Sequence, residues 1–356
     1  MADTVPIHKA QWSAEGLPDG LTSDPSSGKL TGTPTAQGSY SPEVTVRTKW
    51  GTAKKNISVI VINDKLSIVQ DGQEVTRMTA SDFAVMVRDG TAQEQYNTVN
   101  TQVVIPFINP VSRVLYDCPM NFCSFRDVEL ADGTTKPGLI LQCAYGLPAG
   151  ADNLQFDATE NDHPNGNRWN GSNRWKESNI RQWLNASGKG WYEKSQEYDE
   201  PPKAYVDWAG FLDCFQQDFI DILSPIKIQT QTEPKIDGGG VDITYDTFFL
   251  PSMEEVYAAS SYEGGSTGAG IEGTVWEYWQ SRIGGESPQP DGFEVRNLNR
   301  IQYAIENHSQ AVPIWLRSAC LYNVYDVWCA TLNGFVYGCS AQLAYNNRVA
   351  PACVVC

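Results

Sequence analysis

The 356-residue sequence has little charge for its length and no long apolar run. Charged residues make up 19% of the chain, and 42 acidic against 26 basic residues give a formal net charge of -16. Binding to nucleic-acid phosphates or to anionic membranes needs concentrated basic charge, so we expect neither partner. A membrane-spanning helix needs about 18 or more consecutive apolar residues, and we therefore expect no membrane insertion.

Other absences narrow the possible chemistry. The N-terminus lacks the basic, apolar and small-residue succession of a secretory signal, so we expect no signal peptide in this chain. The three histidines stand in no hydrolase motif, which disfavours a serine or zinc hydrolase. The nine cysteines are odd in number and irregularly spaced, so reduced thiols are expected more than a disulfide framework. Cys118 and Cys123 lie close enough in sequence for a disulfide to be considered.

What is present begins with a small N-terminal module, predicted over residues 1–63. Turn residues such as Pro18-Asp19-Gly20 and Thr33-Pro34 separate short alternating runs, which is typical of a β-sandwich. Leu17-Pro18-x-Gly20-Leu21, followed by the spacing from Asp24-Pro25 to Thr33-Pro34, resembles the immunoglobulin-like repeats of bacterial and phage surface proteins. That resemblance implies a spacer or adhesion module without chemistry of its own.

Residues 64–356 are predicted to form a second, larger α+β domain. The Asp132-Gly133 pair predicts a hairpin turn, and Thr79 and Ser81 are candidate caps of a helix over residues 80–87. Further apolar periodicity predicts helices that start at Ser172 or Asn173 and at Trp208, and a short one from Met253 to Ala259. Strands are predicted over residues 67–69, 103–108, 114–116, 123–128, 139–143 and 226–230.

The last part of the chain differs from the rest in composition. Apolar runs at residues 314–316 and 349–355 predict two buried strands, and the window between them is rich in Tyr, Asn and small residues. This mixture is typical of antibody-like contact surfaces, because aromatic rings give contact area at low entropic cost. The candidate ligand-binding residues are Tyr322, Asn323, Tyr325, Asp326, Cys329, Phe335, Tyr337, Gly338, Cys339, Ser340, Tyr345, Asn346 and Asn347.

Several motifs in residues 100–356 resemble a bacterial and phage domain family. They are Asn173-Arg174-Trp175-x-x-Ser178-x-Ile180-Arg181-x-Trp183-Leu184-Asn185, Thr247-x-Phe249-Leu250-Pro251-Ser252-x-Glu254-Glu255, Trp315-Leu316-Arg317-Ser318 and Arg348-Val349-x-Pro351-Ala352-Cys353. The family has the C-type lectin fold in the variant shared with formylglycine-generating enzymes. The resemblance implies an α+β domain in which two helices pack on twisted antiparallel sheets.

This broad group includes the variable proteins of diversity-generating retroelements, in which adenine-directed mutagenesis rewrites codons in a C-terminal window. Tyr, Asp and Ser are one base from an AAC codon for Asn, and Cys, Phe and Gly are two adenine changes away. The window composition fits that origin, although an invariant binding domain rich in Tyr and Asn would have the same pattern. The resemblance thus implies a non-enzymatic receptor-binding or adhesion protein.

The implied setting is a phage tail or a bacterial surface, with a bacterial cell-surface protein or glycan as partner, no metal or other cofactor, and homo-oligomers on a virion as an open possibility. Two other functions stay open. A copper oxidase of the formylglycine-generating type would use cysteines, which here are Cys320, Cys329, Cys339, Cys353 and Cys356. A calcium-dependent lectin of fixed specificity would use Gln289-Pro290-Asp291, although no Trp-Asn-Asp follows it.

Overall fold

The computed structural model describes residues 10–148, 154–158, 168–194, 197–256, 271–283, 298–342 and 347–356. It divides into two compact units. The first comprises the described residues up to Asp64 with Ser112–Leu115, and the second comprises Lys65–Val111 and the described residues from Tyr116 onward. None of the helices within these ranges has the length and apolar character needed to span a bilayer. Strands outnumber helices, so the architecture is mixed and mostly β.

The first unit is formed by short antiparallel strands. Its strands are β1 (Gln11–Glu15), β2 (Leu21–Ser23), β3 (Leu30–Gly32), β4 (Gly38–Tyr40), β5 (Glu43–Thr48), β6 (Gly51–Asn56) and β7 (Val59–Val61). One sheet has the order β1-β5-β6, and β2 pairs with β3 and β4 with β7. Gly28 approaches the Trp12 ring so closely that a β-carbon there would lie 2.8 Å from it. The predicted β-rich N-terminal module is therefore confirmed.

The second unit contains the remaining strands. They are β8 (Leu66–Gln70), β9 (Gln73–Met78), β10 (Thr101–Ile108), β11 (Leu115–Glu129), β12 (Thr135–Cys143), β13 (Ile226–Gln231), β14 (Val241–Asp246), β15 (Phe248–Phe249), β16 (Gln302–Ala304), β17 (Asn307–Val312), β18 (Ile314–Ala319), β19 (Asp326–Ala330), β20 (Val336–Ser340) and β21 (Ala352–Val355). The largest sheet has the order β15-β21-β12-β11-β10-β8-β9. A separate antiparallel sheet, β18-β19-β20, carries the candidate window, and β13-β14 and β16-β17 form two ribbons.

The helices of the second unit are short. They are α1 (Ala80–Arg88), α2 (Thr91–Gln95), α3 (Asn179–Leu184), α4 (Gln217–Ile220) and α5 (Glu277–Ile283), with 3-10 helices at Trp175–Glu177, Phe211–Cys214 and Leu298–Arg300. Thr79 caps α1 as predicted, since its hydroxyl accepts a hydrogen bond from the Asp82 amide at 3.1 Å. The Asp132-Gly133 turn is also confirmed, with Gly133 at a φ of 80°.

Two predicted helices are shorter than expected. Ser178, rather than Ser172 or Asn173, caps α3, because its side chain accepts from the Arg181 amide. The helix predicted from Trp208 is interrupted at Phe215, which is extended with φ -119° and ψ 164°. Phe215 packs against Phe107 and Phe248, at ring-centroid distances of 5.5 and 5.2 Å. Tertiary packing of this ring therefore overrides the helical periodicity.

Of the short helix predicted from Met253, residues 253–256 form a turn and the rest lies outside the described residues.

Buried tryptophans fill the core around the window. Trp175, Trp183 and Trp315 are fully buried. Their indole groups donate hydrogen bonds to the Asp246 carboxylate at 2.8 Å, the Ala209 carbonyl at 3.0 Å and the Leu154 carbonyl at 2.6 Å, respectively. Because the indole N–H of each of these three tryptophans has an acceptor, their rings cross-link distant segments at little desolvation cost.

The cysteines differ in part from the expectation. Cys329 and Cys339 form a disulfide between β19 and β20, with their Cα atoms 6.3 Å apart, so the expectation of reduced thiols is wrong for this pair. The other seven cysteines remain buried thiols. Cys118 and Cys123 form no disulfide because both lie on β11, where five residues of extended chain separate them by about 16 Å.

Candidate functional site

Two buried strands border the candidate window, as predicted. Every residue of β18 is buried, and so is every residue of β21. β21 lies between β12 and β15, with Cys353 opposite Leu141 on one side and Phe248 on the other. The ends of the window are therefore fixed in the interior of the second unit.

A buried ion pair holds β18 in place. Both terminal nitrogens of Arg317 donate to the Glu255 carboxylate, and one of them also donates to the Leu250 carbonyl at 2.8 Å. Ser318 next to it donates to the Glu272 carboxylate, which accepts a further hydrogen bond from the Gln231 amide at 2.8 Å. We call Glu255, Glu272, Arg317 and Ser318 the anchor cluster. Burial raises the pKa of Glu272 to about 7, against the opposing effects of Arg317 and Ser318.

Residues 320–326 connect β18 to β19 and include Asp326, the first residue of β19; we call this segment the 320–326 loop. It is held by one buried side chain. The Asn173 amide nitrogen donates to the carbonyls of Cys320, Asn323 and Asp326, at 3.2, 2.8 and 3.1 Å. Its backbone N–H donates to the Val324 carbonyl at 3.0 Å. Four carbonyls of the loop thus depend on Asn173, and every one of these contacts is made to the loop backbone.

Asn323 completes the loop from within. Its side-chain oxygen accepts hydrogen bonds from the amides of Tyr325 and Asp326, at 3.0 and 2.7 Å. Its nitrogen donates to the Asp326 carboxylate at 2.6 Å. This is a local Asx-type turn, in which the side chain replaces a backbone partner. The Asn323 amide is therefore committed to the loop structure.

Strand register separates the candidate residues onto two faces of the β18-β19-β20 sheet. Asp326 lies opposite Ser340, and Cys329 opposite Tyr337, in an unbroken β19-β20 ladder. Directly opposed residues share a face, and successive residues alternate between faces. Asp326, Gly338 and Ser340 therefore lie on one face, and Tyr337 lies on the other with the Cys329–Cys339 disulfide.

Tyr322 joins the face of Asp326 and Gly338. A β-carbon built on Gly338 would lie 2.7 Å from the Tyr322 hydroxyl, 2.7 Å from the Cys320 sulfur and 3.4 Å from the Asp326 β-carbon. Burial raises the pKa of the Cys320 thiol, while a hydrogen bond with Tyr322 lowers it. Burial also raises the pKa of Asp326, against the hydrogen bond from Asn323. The absence of a side chain at Gly338 leaves the space in which the Tyr322 hydroxyl lies.

A second segment, residues 168–173, borders this face. The Asn170 carbonyl accepts hydrogen bonds from the Gln342 amide at 2.8 Å and from the Ser340 hydroxyl at 3.3 Å. Trp169 beside it is 64% exposed. We call Trp169, Tyr322, Asp326, Gly338 and Ser340 the recognition face. Sequence reasoning missed Trp169; the Asn170-Gly171 turn signal after it was the only available hint.

Asp157 holds the 168–173 segment against the rest of the domain. Its carboxylate accepts from the amides of Ser172 and Asn179, at 2.9 and 3.0 Å. Gly171 has a φ of 83°, and a β-carbon there would lie 2.7 Å from the Asp157 carbonyl. The hydrogen bonds of Asp157 and its close approach to Gly171 fix the segment that carries Asn173. Asp157 therefore supports the 320–326 loop indirectly, through Asn173.

The predicted contact residues differ in accessibility. Tyr322 and Tyr337 are 49% and 45% exposed. Asn323, Tyr325, Asp326, Phe335, Gly338 and Ser340 are half-buried. Cys329, Cys339 and Asn347 are buried, so we remove these three positions from the candidate contact set. Tyr345 and Asn346 lie outside the described residues.

The other candidate sites add little. Across the described ranges, no group of three His, Cys, Asp or Glu side chains is arranged to hold a metal ion. The predicted calcium tripeptide, residues 289–291, lies outside those ranges. Residues 157–167, with the sequence DATENDHPNGN, are also rich in oxygen-bearing side chains. Of these residues, only Asp157 and Ala158 are described, and the Asp157 carboxylate accepts hydrogen bonds from backbone amides.

The fold and the recognition face define a mixed, mostly β domain with an exposed aromatic surface near its C-terminus. Residues 151–355 match the family described as Domain of unknown function (DUF6273), and since this is more than half of the chain, the chain belongs to that family. Residues 2–63 match the family described as Putative Ig domain, which confirms the immunoglobulin-like prediction. No curated protein and no solved structure matches the chain.

Proposed function

We propose that this chain is a non-enzymatic ligand-binding protein with a recognition surface near its C-terminus, carried on a scaffold of the C-type lectin type. Its setting would be a phage tail or a bacterial surface, and its partner a bacterial cell-surface molecule. The immunoglobulin-like module would act as a spacer. Exposed Trp169, Tyr322 and Tyr337 support a binding role, because aromatic residues dominate the energetics of many interfaces.

The observation that carries this proposal is the way in which the 320–326 loop is held. Asn173 bonds to four loop carbonyls, and the Tyr325 carbonyl accepts from the Ala341 amide at 2.8 Å. Backbone atoms are the same whichever side chain a position carries. Side chains such as Tyr322 and Tyr325 can therefore be exchanged without loss of these hydrogen bonds, which is the property that a diversified window requires.

Two positions depart from this rule. Asn323 holds the loop with its own side chain, and Gly338 leaves room for Tyr322 and Cys320. If a retroelement rewrites this window, we expect Asn323 and Gly338 to change least among the candidate residues. The adjoining genome, searched for a near-copy of the codons for residues 318–353 beside a reverse transcriptase, tests the diversification itself.

Tyrosine substitutions test the binding role. We expect joint Tyr322→Ala, Tyr325→Ala and Tyr337→Ala substitution to abolish binding to host bacterial cells, because it removes most of the exposed aromatic area of the window. Cell binding is measured by flow cytometry of the labelled full chain, and the melting temperature is measured in parallel. Tyr303→Ala, at a comparably exposed tyrosine of β16, is the matched control. Unchanged cell binding, or a large fall in melting temperature, would count against the proposal.

Copper oxidase chemistry is the alternative, because the structure places Cys329 and Cys339 side by side. Copper analysis of the reduced and reconstituted protein separates the two functions. Stoichiometric copper that is lost in Cys329→Ser would favour the oxidase. If the wild-type protein binds no more copper than the Cys329→Ser variant, the oxidase function is rejected and the binding function stands.

A further inference from the structure

Several hydrogen-bonding side chains of the candidate window are bonded inside the protein or buried, while the Asn170 amide of the bordering segment is exposed. The Asn323 amide bonds to the Tyr325 and Asp326 amides and to the Asp326 carboxylate. The Ser340 hydroxyl donates to the Asn170 carbonyl at 3.3 Å, and Asn347 is buried. A sugar is bound mainly through hydroxyl groups that need such partners. The recognition face instead offers the exposed rings of Trp169 and Tyr322, which resembles a protein-binding surface more closely.

Asp326 is the only charged member of the recognition face, and Arg168 of the bordering segment is buried and paired with Asp237. Asp326 is the only Asp, Glu, Lys, Arg or His among residues 318–347. It is half-buried, and it lies next to Gly338 and opposite Ser340 on the β19-β20 ladder. A carboxylate in partly desolvated, otherwise uncharged surroundings gains most from a partner of opposite charge. The chain's net charge of -16 would attract a cationic partner over a longer distance as well.

We propose that the recognition face binds a protein partner by receiving one of its Lys or Arg side chains at the Asp326 carboxylate. The Tyr322 ring, which lies beside Gly338 with Asp326, would pack against apolar atoms around that cation, and exposed Trp169 of the bordering segment would add a second aromatic contact. Arg stacks well on such rings. This inference rests on the proposed binding function and narrows it. It selects a protein over a glycan, and a basic side chain over an acidic or a neutral one.

Selection of peptides on the full chain tests this inference. A displayed library of random twelve-residue peptides is panned against the wild-type protein, and the enriched sequences are compared with those selected on Asp326→Asn. We expect Lys and Arg beside aromatic residues to be enriched on the wild type, and the basic enrichment to disappear with Asp326→Asn. A chosen Lys-containing peptide should bind the variant at least tenfold more weakly, and its wild-type affinity should fall with added salt.

Asp127→Asn is the matched control, because it removes the same charge from an exposed position of β11. Peptides without basic enrichment, equal binding to Asp326→Asn, or an absence of binders would overturn the inference. So would glycan-array binding that depends on Tyr322 while no peptide binds. The broader function is judged separately: cell binding that requires Tyr322 and Tyr325 but is unchanged in Asp326→Asn refutes only the basic-partner inference.

Discussion

Strand β18 and the 320–326 loop that follows it are adjacent in sequence but are held by different kinds of contact. In β18, the side chains of Arg317 and Ser318 bond to the side chains of Glu255 and Glu272. In the loop, Asn173 bonds to backbone carbonyls. A substitution of either residue breaks a side-chain contact of β18. The loop side chains, in contrast, play no part in the hydrogen bonds between Asn173 and the loop carbonyls.

This difference shows how one chain can combine a fixed scaffold with exchangeable contacts. The residues of the anchor cluster cannot be exchanged without damage to the structure, because a buried charge needs its specific partner. The Asn173 contacts tie only the loop backbone to the scaffold. The change from side-chain contacts to backbone contacts falls between Ser318 and Cys320, immediately after the Trp315-Leu316-Arg317-Ser318 motif.

The largest effect is expected from breaking the anchor cluster. Arg317→Met leaves the Glu255 carboxylate buried without its cation, and we expect it to lower the free energy of unfolding by about 3–5 kcal/mol. Denaturant unfolding measures this loss. Lys227→Met, which removes the partly exposed Lys227–Glu129 pair of the same unit, should cost far less, because water screens an exposed ion pair. Similar losses in the two variants would mean that the buried pair does not anchor β18.

A smaller and more local effect is expected at Asn173. Asn173→Ala removes the donor of three loop carbonyls, and we expect a loss of about 1–3 kcal/mol. Hydrogen exchange of residues 320–326 should accelerate, while the amides of β21 keep their protection. Asn170→Ala is the matched control, because it removes an exposed amide and keeps the backbone carbonyl that Gln342 and Ser340 use. Equal acceleration of hydrogen exchange in residues 320–326 and in β21 would show that the loop and the buried strand unfold together.

The buried strands at the ends of the window could be predicted, because short apolar runs are a local signal. The role of Asn173 could not: its acceptors lie 147 or more residues later in the chain. The position of Tyr337 could not be predicted either. Only the β19-β20 register shows that Tyr337 and Asp326 lie on different faces of the sheet. The Cys329–Cys339 disulfide depends on the same register. Composition thus predicted a contact window and its buried borders, whereas the residues that share the recognition face follow only from strand pairing and from the contacts of Asn173.

A gradual effect, spread over several pH units, is expected when the anchor cluster is titrated. The folded-state pKa of Glu272 is about 7, above its ordinary value of 4.5, because burial disfavours the charged form. Between pH 4.5 and about 7, Glu272 therefore keeps its proton in the folded protein and loses it in the unfolded chain. This contribution to stability is complete below pH 4.5 and is lost as the pH rises through 7. For one proton the slope cannot exceed about 1.4 kcal/mol per pH unit.

Glu272→Gln keeps the shape of this side chain and removes its titration, so we expect a flatter decline of the unfolding free energy between pH 5 and 8 than in the wild type. Denaturant titrations at four pH values measure the two slopes, with exposed Glu193→Gln as the control for the substitution itself. Because Asn173 holds the loop through hydrogen bonds to neutral carbonyls, exchange rates in residues 320–326, corrected for intrinsic pH dependence, should change less than those of β18. Equal slopes in wild type and Glu272→Gln would remove Glu272 as the titrating group.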